Sequence, residues 1–135
     1  MTGALTGPVV LDAEGLSRAV HRDPYLQDVV DTALRAKVPV VASAATLVEV
    51  ARARPGLAAL RWTVSRFRVV PVSKELAQVA AGLLVDSGLS GHDWALDAMV
   101  AATALGLPGR PTVYTSDPDD LRLLLGNRAR IVSLR

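Results

Sequence analysis

Short apolar runs rich in valine alternate along the chain with longer segments of helical periodicity. Five runs predict buried strands: 8–11, 38–42, 69–72, 111–114 and 131–134, the last at an edge of the sheet. Segments with apolar residues three and four positions apart predict helices: 16–21, 24–36, 44–54, 57–67, 74–88, 93–105 and 118–125. Strands separated by helices in this order predict an α/β fold, with a parallel sheet of about five strands and helices on both faces.

Start and stop signals support these boundaries. Asp23 precedes Pro24, which is a good first residue of a helix, and Ser73 precedes the longest helical segment. The pair Pro55-Gly56 separates the third and fourth helices, and Gly88 ends the fifth. No internal repeat or low-complexity segment competes with this division.

The composition is that of one globular domain, and we expect it to span residues 1–135. Half of the residues are hydrophobic and 21% are charged. There is no cysteine, which excludes disulfides, thiolate zinc sites and cysteine nucleophiles and predicts a reducing, cytoplasmic location. No export signal or stretch of about 20 apolar residues is present, so we expect no membrane association.

The net charge of +2 is compatible with nucleic-acid binding but does not indicate it. The distribution of charge is more informative, because five arginines occupy one short stretch: Arg52, Arg54, Arg61, Arg66 and Arg68. Guanidinium groups there could hold phosphates. Arginines on helices also commonly form an ordinary solvated face, so both interpretations remain open.

Two aspartates follow predicted strands, where parallel sheets bind ligands. Asp12 comes directly after the first strand, and Thr115-Ser116-Asp117 comes directly after the fourth. Each aspartate also has a structural alternative. Asp117 precedes Pro118 and could cap the following helix, and Asp12 could cap a helix that starts near Glu14.

Two further acids lie inside apolar helical segments. Asp97 belongs to a segment, 93–105, that contains no Lys or Arg, so a buried carboxylate there must be protonated, paired from elsewhere or bound to metal. Asp93 lies one turn earlier on the same face. Glu49 raises the same question within 45–51, although an exposed position paired with a nearby arginine is an equal alternative.

Together, the strand ends and the apolar helices suggest a cluster of carboxylates at one site. Hard oxygen ligands without His or Cys favour Mg²⁺, with Mn²⁺ as a second possibility, over zinc. A metal held in this way would activate water and neutralise charge on a phosphodiester.

Four segments resemble the VapC-type PIN-domain toxins, and the resemblance covers essentially the whole chain. These segments are 9–12, 43–50, 96–104 and 113–117. The resemblance implies a PIN-like fold in which Asp12 and Asp97 are metal ligands, Glu49 and Asp117 complete the catalytic acids, and Thr115 and Asp93 support them. The chain departs from the common pattern at Ser116 and at 119–121, which affects substrate contacts more than the metal site.

The resemblance also implies a function and partners. It implies metal-dependent endoribonuclease activity on RNA, a homodimer, and a cognate antitoxin that covers the site. Abundant Val, Leu and Ala with few aromatic residues leave apolar surface for a dimer partner. Because clustered carboxylates repel one another without metal, we expect the antitoxin to place a basic side chain among the four acids.

Other classes fit the sequence less well. A receiver domain requires an acid after the third strand and a lysine after the fifth, where Ser73 and the chain end stand. A haloacid-dehalogenase-like phosphatase prefers a second aspartate where Glu14 stands. The main alternative is a PIN-fold protein that binds nucleic acid or a partner without catalysis. The presence of all four acids argues against it.

Overall fold

A five-stranded, entirely parallel sheet forms the centre of the protein. The computed structural model describes residues 7–51 and 56–135. The strands are β1 Val9–Leu11, β2 Val40–Ser43, β3 Arg68–Val70, β4 Thr112–Thr115 and β5 Arg130–Ser133. Their order in the sheet is β3-β2-β1-β4-β5. This arrangement confirms the predicted parallel sheet of five strands and the edge position of the last strand.

Seven helices surround the sheet within the described residues. They are α1 Ala13–Val20, α2 Pro24–Arg35, α3 Ala44–Val50, α4 Leu57–Val64, α5 Lys74–Ser87, α6 Gly91–Leu105 and α7 Pro118–Leu125. The capping predictions hold, because Asp23 accepts a hydrogen bond from Leu26 N–H and Ser73 accepts one from Leu76 N–H. Gly88 ends α5 with φ 66°, a left-handed conformation that glycine adopts without strain.

Two separate hydrophobic cores lie on the two faces of the sheet. Alternate side chains of each strand point to opposite faces, so Val10 joins one core while its neighbours Val9 and Leu11 join the other. The helices α5, α6 and α7 cover the face of Val10, and α1 to α4 cover the opposite face. The predicted placement of helices on both faces is therefore confirmed.

Several predicted boundaries were wrong. The first helix begins at Ala13, not at residue 16, because Asp12 already serves as its N-cap. Gly15 lets this first turn approach the sheet closely, since a Cβ there would lie 3.3 Å from the Leu11 Cβ. The third strand ends at Val70, and the fourth helix ends at Val64, three residues earlier than predicted. The third helix ends at Val50, and most of its predicted extension to 54 lies outside the described residues.

The strand register brings Asp12 and Thr115 to the same edge of the sheet. Val9 is level with Thr112 and Leu11 with Tyr114. The next residues along both strands are therefore neighbours, and Asp12 N–H donates a hydrogen bond to the Tyr114 carbonyl oxygen. Of the helices within 7–51 and 56–135, none is long and apolar enough to cross a membrane.

Candidate acidic site

Asp12 is held at the end of β1 by hydrogen bonds to both of its carboxylate oxygens. Gly15 N–H donates to Oδ1 at 2.9 Å, and Ser116 N–H donates to Oδ2 at 3.0 Å. The residue is only 4% exposed. Burial raises the pKa of Asp12 above its ordinary value, the hydrogen bonds oppose this effect, and the nearby charge of Asp117 adds to it. Asp12 is therefore both a helix cap and a member of the acidic site.

Thr115 connects two of the predicted acids. Its side chain is fully buried, and its hydroxyl oxygen accepts a hydrogen bond from Asp117 N–H at 2.8 Å. The same hydroxyl hydrogen-bonds to the Asp12 carboxylate, which favours the ionised form and lowers the pKa of Asp12. Thr115 therefore lies between Asp12 and Asp117, and its supporting role in the site stays a prediction.

Asp117 occupies the N-cap position of α7 without acting as a cap. Its side chain makes no capping hydrogen bond to that helix, and the residue is exposed. The simple capping role considered from the sequence is therefore absent. Its carboxylate is instead free to face other acids.

Three carboxylates from α6 and the start of α7 form a close group. One oxygen from each of Asp97, Asp117 and Asp120 lies within 4.8 Å of the others. Burial, followed by the charges of Asp117, Asp120 and Asp12 and a hydrogen bond with Asp120, raises the pKa of Asp97 to about 7. We call Asp97, Asp117 and Asp120 the three-acid group. The group contains Asp97, one of the two predicted metal ligands. The other predicted ligand, Asp12, lies close enough for its charge to raise the pKa of Asp97.

Of the two remaining predicted site residues, Glu49 lies near this group and Asp93 does not. Glu49 is an exposed residue on α3, but partial burial of its carboxyl group and the charges of Asp12 and Asp117 raise its pKa. It therefore faces the site. Its alternative partners, Arg52 and Arg54, lie outside the described residues. Asp93 is exposed and is not among the acids that raise the pKa of Asp97, so the structure does not bring it into the group.

The acids at this edge lack a neutralising cation within the described part of the chain. None of Asp12, Glu49 and Asp97 forms an ion pair with a described Lys, Arg or His side chain. An open pocket of about 220 Å³ adjoins the group, and six residues line it: Ser116, Asp117, Pro118, Asp119, Asp120 and Arg135. Arg135 lies 3.7 Å from Asp119 at the side of this pocket. The acids of the group itself therefore repel one another.

The donor set fits a hard divalent cation. The three ligand atoms of the group are carboxylate oxygens, and Mg²⁺ or Mn²⁺ prefers these over the nitrogen and sulfur ligands that zinc takes. Burial and then repulsion raise the pKa of Asp97, and a bound cation would oppose both effects by favouring the ionised carboxylate. Asp12 keeps spare acceptor capacity, because a carboxylate offers about four lone-pair sites.

Asp120 belongs to the site, although it is not among the candidate site residues predicted from the sequence. It is partly buried, it belongs to the three-acid group, and its proximity raises the pKa of Asp97. The available signal was its spacing, since Asp117 and Asp120 are three residues apart and can share one face of a helix. Its neighbour Asp119 lines the same pocket but lies outside the three-acid group, and it pairs with Arg122 at 3.4 Å and with Arg135 at 3.7 Å.

Replacement of Asp120 should weaken metal binding selectively. We expect Asp120→Asn to lower the affinity for Mn²⁺ about tenfold or more, because one anionic oxygen of the group is lost. Asp119→Asn is the matched control, since it removes the same charge one residue away and outside the group. Calorimetric titration with Mn²⁺ would measure both. Equal affinities in the two variants would exclude Asp120 from the site.

Comparisons with known proteins support the fold. Neither the protein-family models nor the curated proteins gave a match. Among solved structures, a chain in the crystal structure of VapBC2 from Rickettsia felis, bound to a DNA fragment from their promoter, aligns with a TM-score of 0.68. The alignment covers 94% of this chain and 98% of that chain at 13% identity. At this identity the similarity concerns the fold alone, and it confirms the PIN-like α/β architecture that the sequence resemblance implies.

Proposed function

We propose that the protein is a metal-dependent endoribonuclease and the toxin of a toxin–antitoxin pair. The observation that carries this proposal is the three-acid group beside Asp12, which lies at the carboxyl edge of the sheet without a neutralising cation among the described residues. A positive ligand would relieve the repulsion in this site, and carboxylate-bound Mg²⁺ or Mn²⁺ suits phosphodiester hydrolysis.

The protein's own residues would have distinct roles in this reaction. Asp97, Asp117 and Asp120 would hold the metal together with Asp12, whose position is fixed by its two backbone hydrogen bonds. Glu49 approaches from α3, and its raised pKa suits a group that accepts a proton from water. Bound metal would supply an activated water and would neutralise charge on the phosphate oxygens.

The partners follow from the same proposal. An antitoxin would place a basic side chain among Asp12, Glu49, Asp97 and Asp117, because a cation there relieves the same repulsion as metal does. We also propose a homodimer, since Val79, Val85 and Leu123 are exposed apolar side chains that a second copy could cover. The absence of cysteine supports a cytoplasmic location.

RNA cleavage should depend on Asp97. We expect purified protein to cut RNA in the presence of Mg²⁺ or Mn²⁺ and not in chelator. Asp97→Asn should lower the rate about 100-fold or more. The variant loses a metal ligand, and without bound metal the charge that develops on the phosphate oxygens is not neutralised. Sequencing of the RNA ends after incubation would measure both the rate and the cleavage sites.

Asp93→Asn is the matched control for this experiment. It makes the same chemical change on the same helix, one turn away from Asp97 and outside the three-acid group. We expect this variant to retain nearly full activity. If the wild-type protein binds RNA but never cleaves it with either metal, the alternative of a PIN-fold binding protein without catalysis replaces the enzyme proposal.

A further inference from the structure

An exposed tryptophan on α4 is contacted by two arginines. The guanidinium carbon of Arg66 lies 4.6 Å from the centre of the Trp62 ring, and that of Arg22 lies 5.2 Å from it. Trp62 nevertheless remains 53% exposed. We call Arg22, Trp62 and Arg66 the arginine–tryptophan stack. It combines an accessible aromatic ring with two cations, a pairing that recurs in single-stranded nucleic-acid sites.

The stack lies in the most basic part of the protein. Residues 50–74 contain six Lys or Arg residues and no Asp or Glu, whereas the whole chain has a net charge of only +2. The rest of the chain therefore has a net charge of −4. The segment 50–74 can attract a polyanion, whereas the acidic site repels one in the absence of metal.

Neither arginine of the stack is neutralised by an acid. No described carboxylate forms an ion pair with Arg22 or Arg66, and residues 1–6 and 52–55 contain no Asp or Glu. The nearest acid in sequence to Arg22 is Asp23, whose carboxylate accepts a hydrogen bond from Leu26 N–H as the cap of α2. Contact through the ring face leaves the guanidinium N–H donors available for phosphate.

The backbone of Arg22 is also unusual. Its φ is 55°, in the left-handed region that costs free energy for a residue with a Cβ. That conformation closes the end of α1, since Arg22 N–H donates to the Ala19 carbonyl oxygen and Asp23 N–H donates to that of Arg18. The guanidinium groups of Arg22 and Arg66 both contact the Trp62 ring, which brings two positive charges to one exposed aromatic side chain.

One helix connects the stack to the acidic site. Asp12 is the N-cap of α1, and Arg22 lies in the turn that follows the C-terminal end of the same helix. A helix of eight residues is about 12 Å long. A single RNA strand can therefore contact both places at once, with one phosphate at the acids and neighbouring nucleotides at the stack.

We propose that the arginine–tryptophan stack binds single-stranded RNA next to the nucleotides that enter the acidic site, with phosphates on Arg22 and Arg66 and a base against Trp62. This inference rests on the proposed ribonuclease function and deepens it, because it assigns the affinity for RNA to a surface separate from the metal-binding acids.

The test measures RNA binding apart from cleavage. A fluorescently labelled single-stranded RNA oligonucleotide of mixed sequence is titrated with the protein in EDTA at several salt concentrations, and anisotropy gives the affinity. For Arg22→Gln combined with Arg66→Gln, we expect the slope of log affinity against log salt to become shallower by about 1.4, since each lost phosphate contact on a single strand contributes about 0.7. Trp62→Ala should weaken binding about fivefold or more through the loss of stacking.

A matched control removes the same charge elsewhere. Arg35 and Arg130 are exposed and neither contacts Trp62, so Arg35→Gln combined with Arg130→Gln should leave the slope unchanged. In a Trp94→Phe background that keeps Arg22 and Arg66, the fluorescence of Trp62 should change when RNA is added. Thermal melts of each variant would establish that it is folded.

The outcomes distinguish this inference from the proposed function. If Arg22→Gln with Arg66→Gln and Trp62→Ala both bind the oligonucleotide as the wild type does, the stack is not an RNA site, and an acidic protein partner becomes its candidate occupant. Normal dependence of cleavage on Asp97 in the same preparations would then leave the ribonuclease proposal intact. Reduced binding by the stack variants, with no cleavage by the wild type, would instead support the RNA site and contradict the enzyme.

Discussion

Replacing Asp97 by Asn should stabilise the metal-free protein at pH 8. The pKa of Asp97 is raised from 3.8 to about 7 by burial and by the neighbouring acids. Between these two values the native state binds more protons than the unfolded state, so the free energy of unfolding falls as the pH rises through this window. At pH 8 the carboxylate is ionised and its repulsion is fully present, whereas the neutral amide avoids it.

The expected gain in the free energy of unfolding is large enough to measure. A rise of the pKa from 3.8 to about 7 corresponds to at most about 4 kcal/mol. Because Asp97 is only partly buried, solvent screening reduces the expected gain at pH 8 to about 2 kcal/mol. Urea unfolding of the wild type and Asp97→Asn at pH 5 and pH 8, in chelator, would measure it. The two proteins should differ much more at pH 8 than at pH 5.

Bound metal should make the wild type more stable than the Asp97→Asn variant. A ligand at about 100 times its dissociation constant stabilises the native state by about 2.7 kcal/mol, so Mg²⁺ or Mn²⁺ should raise the melting temperature of the wild type by several degrees. Asp97→Asn should lose most of this rise, and Asp93→Asn should keep it. A strongly destabilised Asp97→Asn variant that still responds fully to metal would mean that Asp97 belongs to a structural ion pair, and our assignment of the site would fail.

Replacing Asp12 by Ala should have the opposite effect on the metal-free protein. The change removes the acceptor for Gly15 N–H and Ser116 N–H, and it also removes the N-cap of α1. Loss of a cap costs about 1 kcal/mol, and each buried donor left without a partner costs about 1–3 kcal/mol. Relief of repulsion with Asp117 offsets part of this cost. We expect a net loss of about 2–4 kcal/mol.

Urea unfolding in chelator measures this loss, and Asp23→Ala is its control. Asp23 is also a helix cap but accepts only one backbone hydrogen bond and lies away from the acids, so its replacement should cost about 1 kcal/mol. If Asp12→Ala is no less stable than Asp23→Ala, Asp12 does not fix the end of β1 as its contacts indicate. A clear difference would explain why Asp97 is a better position than Asp12 for testing catalysis.

The hydrophobic pattern determined most of the architecture. The runs of valine predicted all five strands, since a parallel sheet that is covered on both faces needs continuous apolar segments. The residues Pro118–Leu125 form a helix with the predicted bounds, because Pro118 and Gly126 mark its ends. The sequence also indicated which acids are costly to bury. Asp97 sits in a segment without cations, and its pKa is raised accordingly.

The tertiary structure decided how these acids are grouped. Local sequence treats Asp12 and Asp117 alike, as acids that precede helices, yet Asp12 caps its helix and Asp117 does not. It also gives no reason to choose Asp120 over Asp93 as the neighbour of Asp97. The choice depends on how α7 packs against α6, which places Asp120 within reach of Asp97 and leaves Asp93 exposed. Residue spacing fixes the faces of single elements, but distances between carboxylates on different elements arise only from packing.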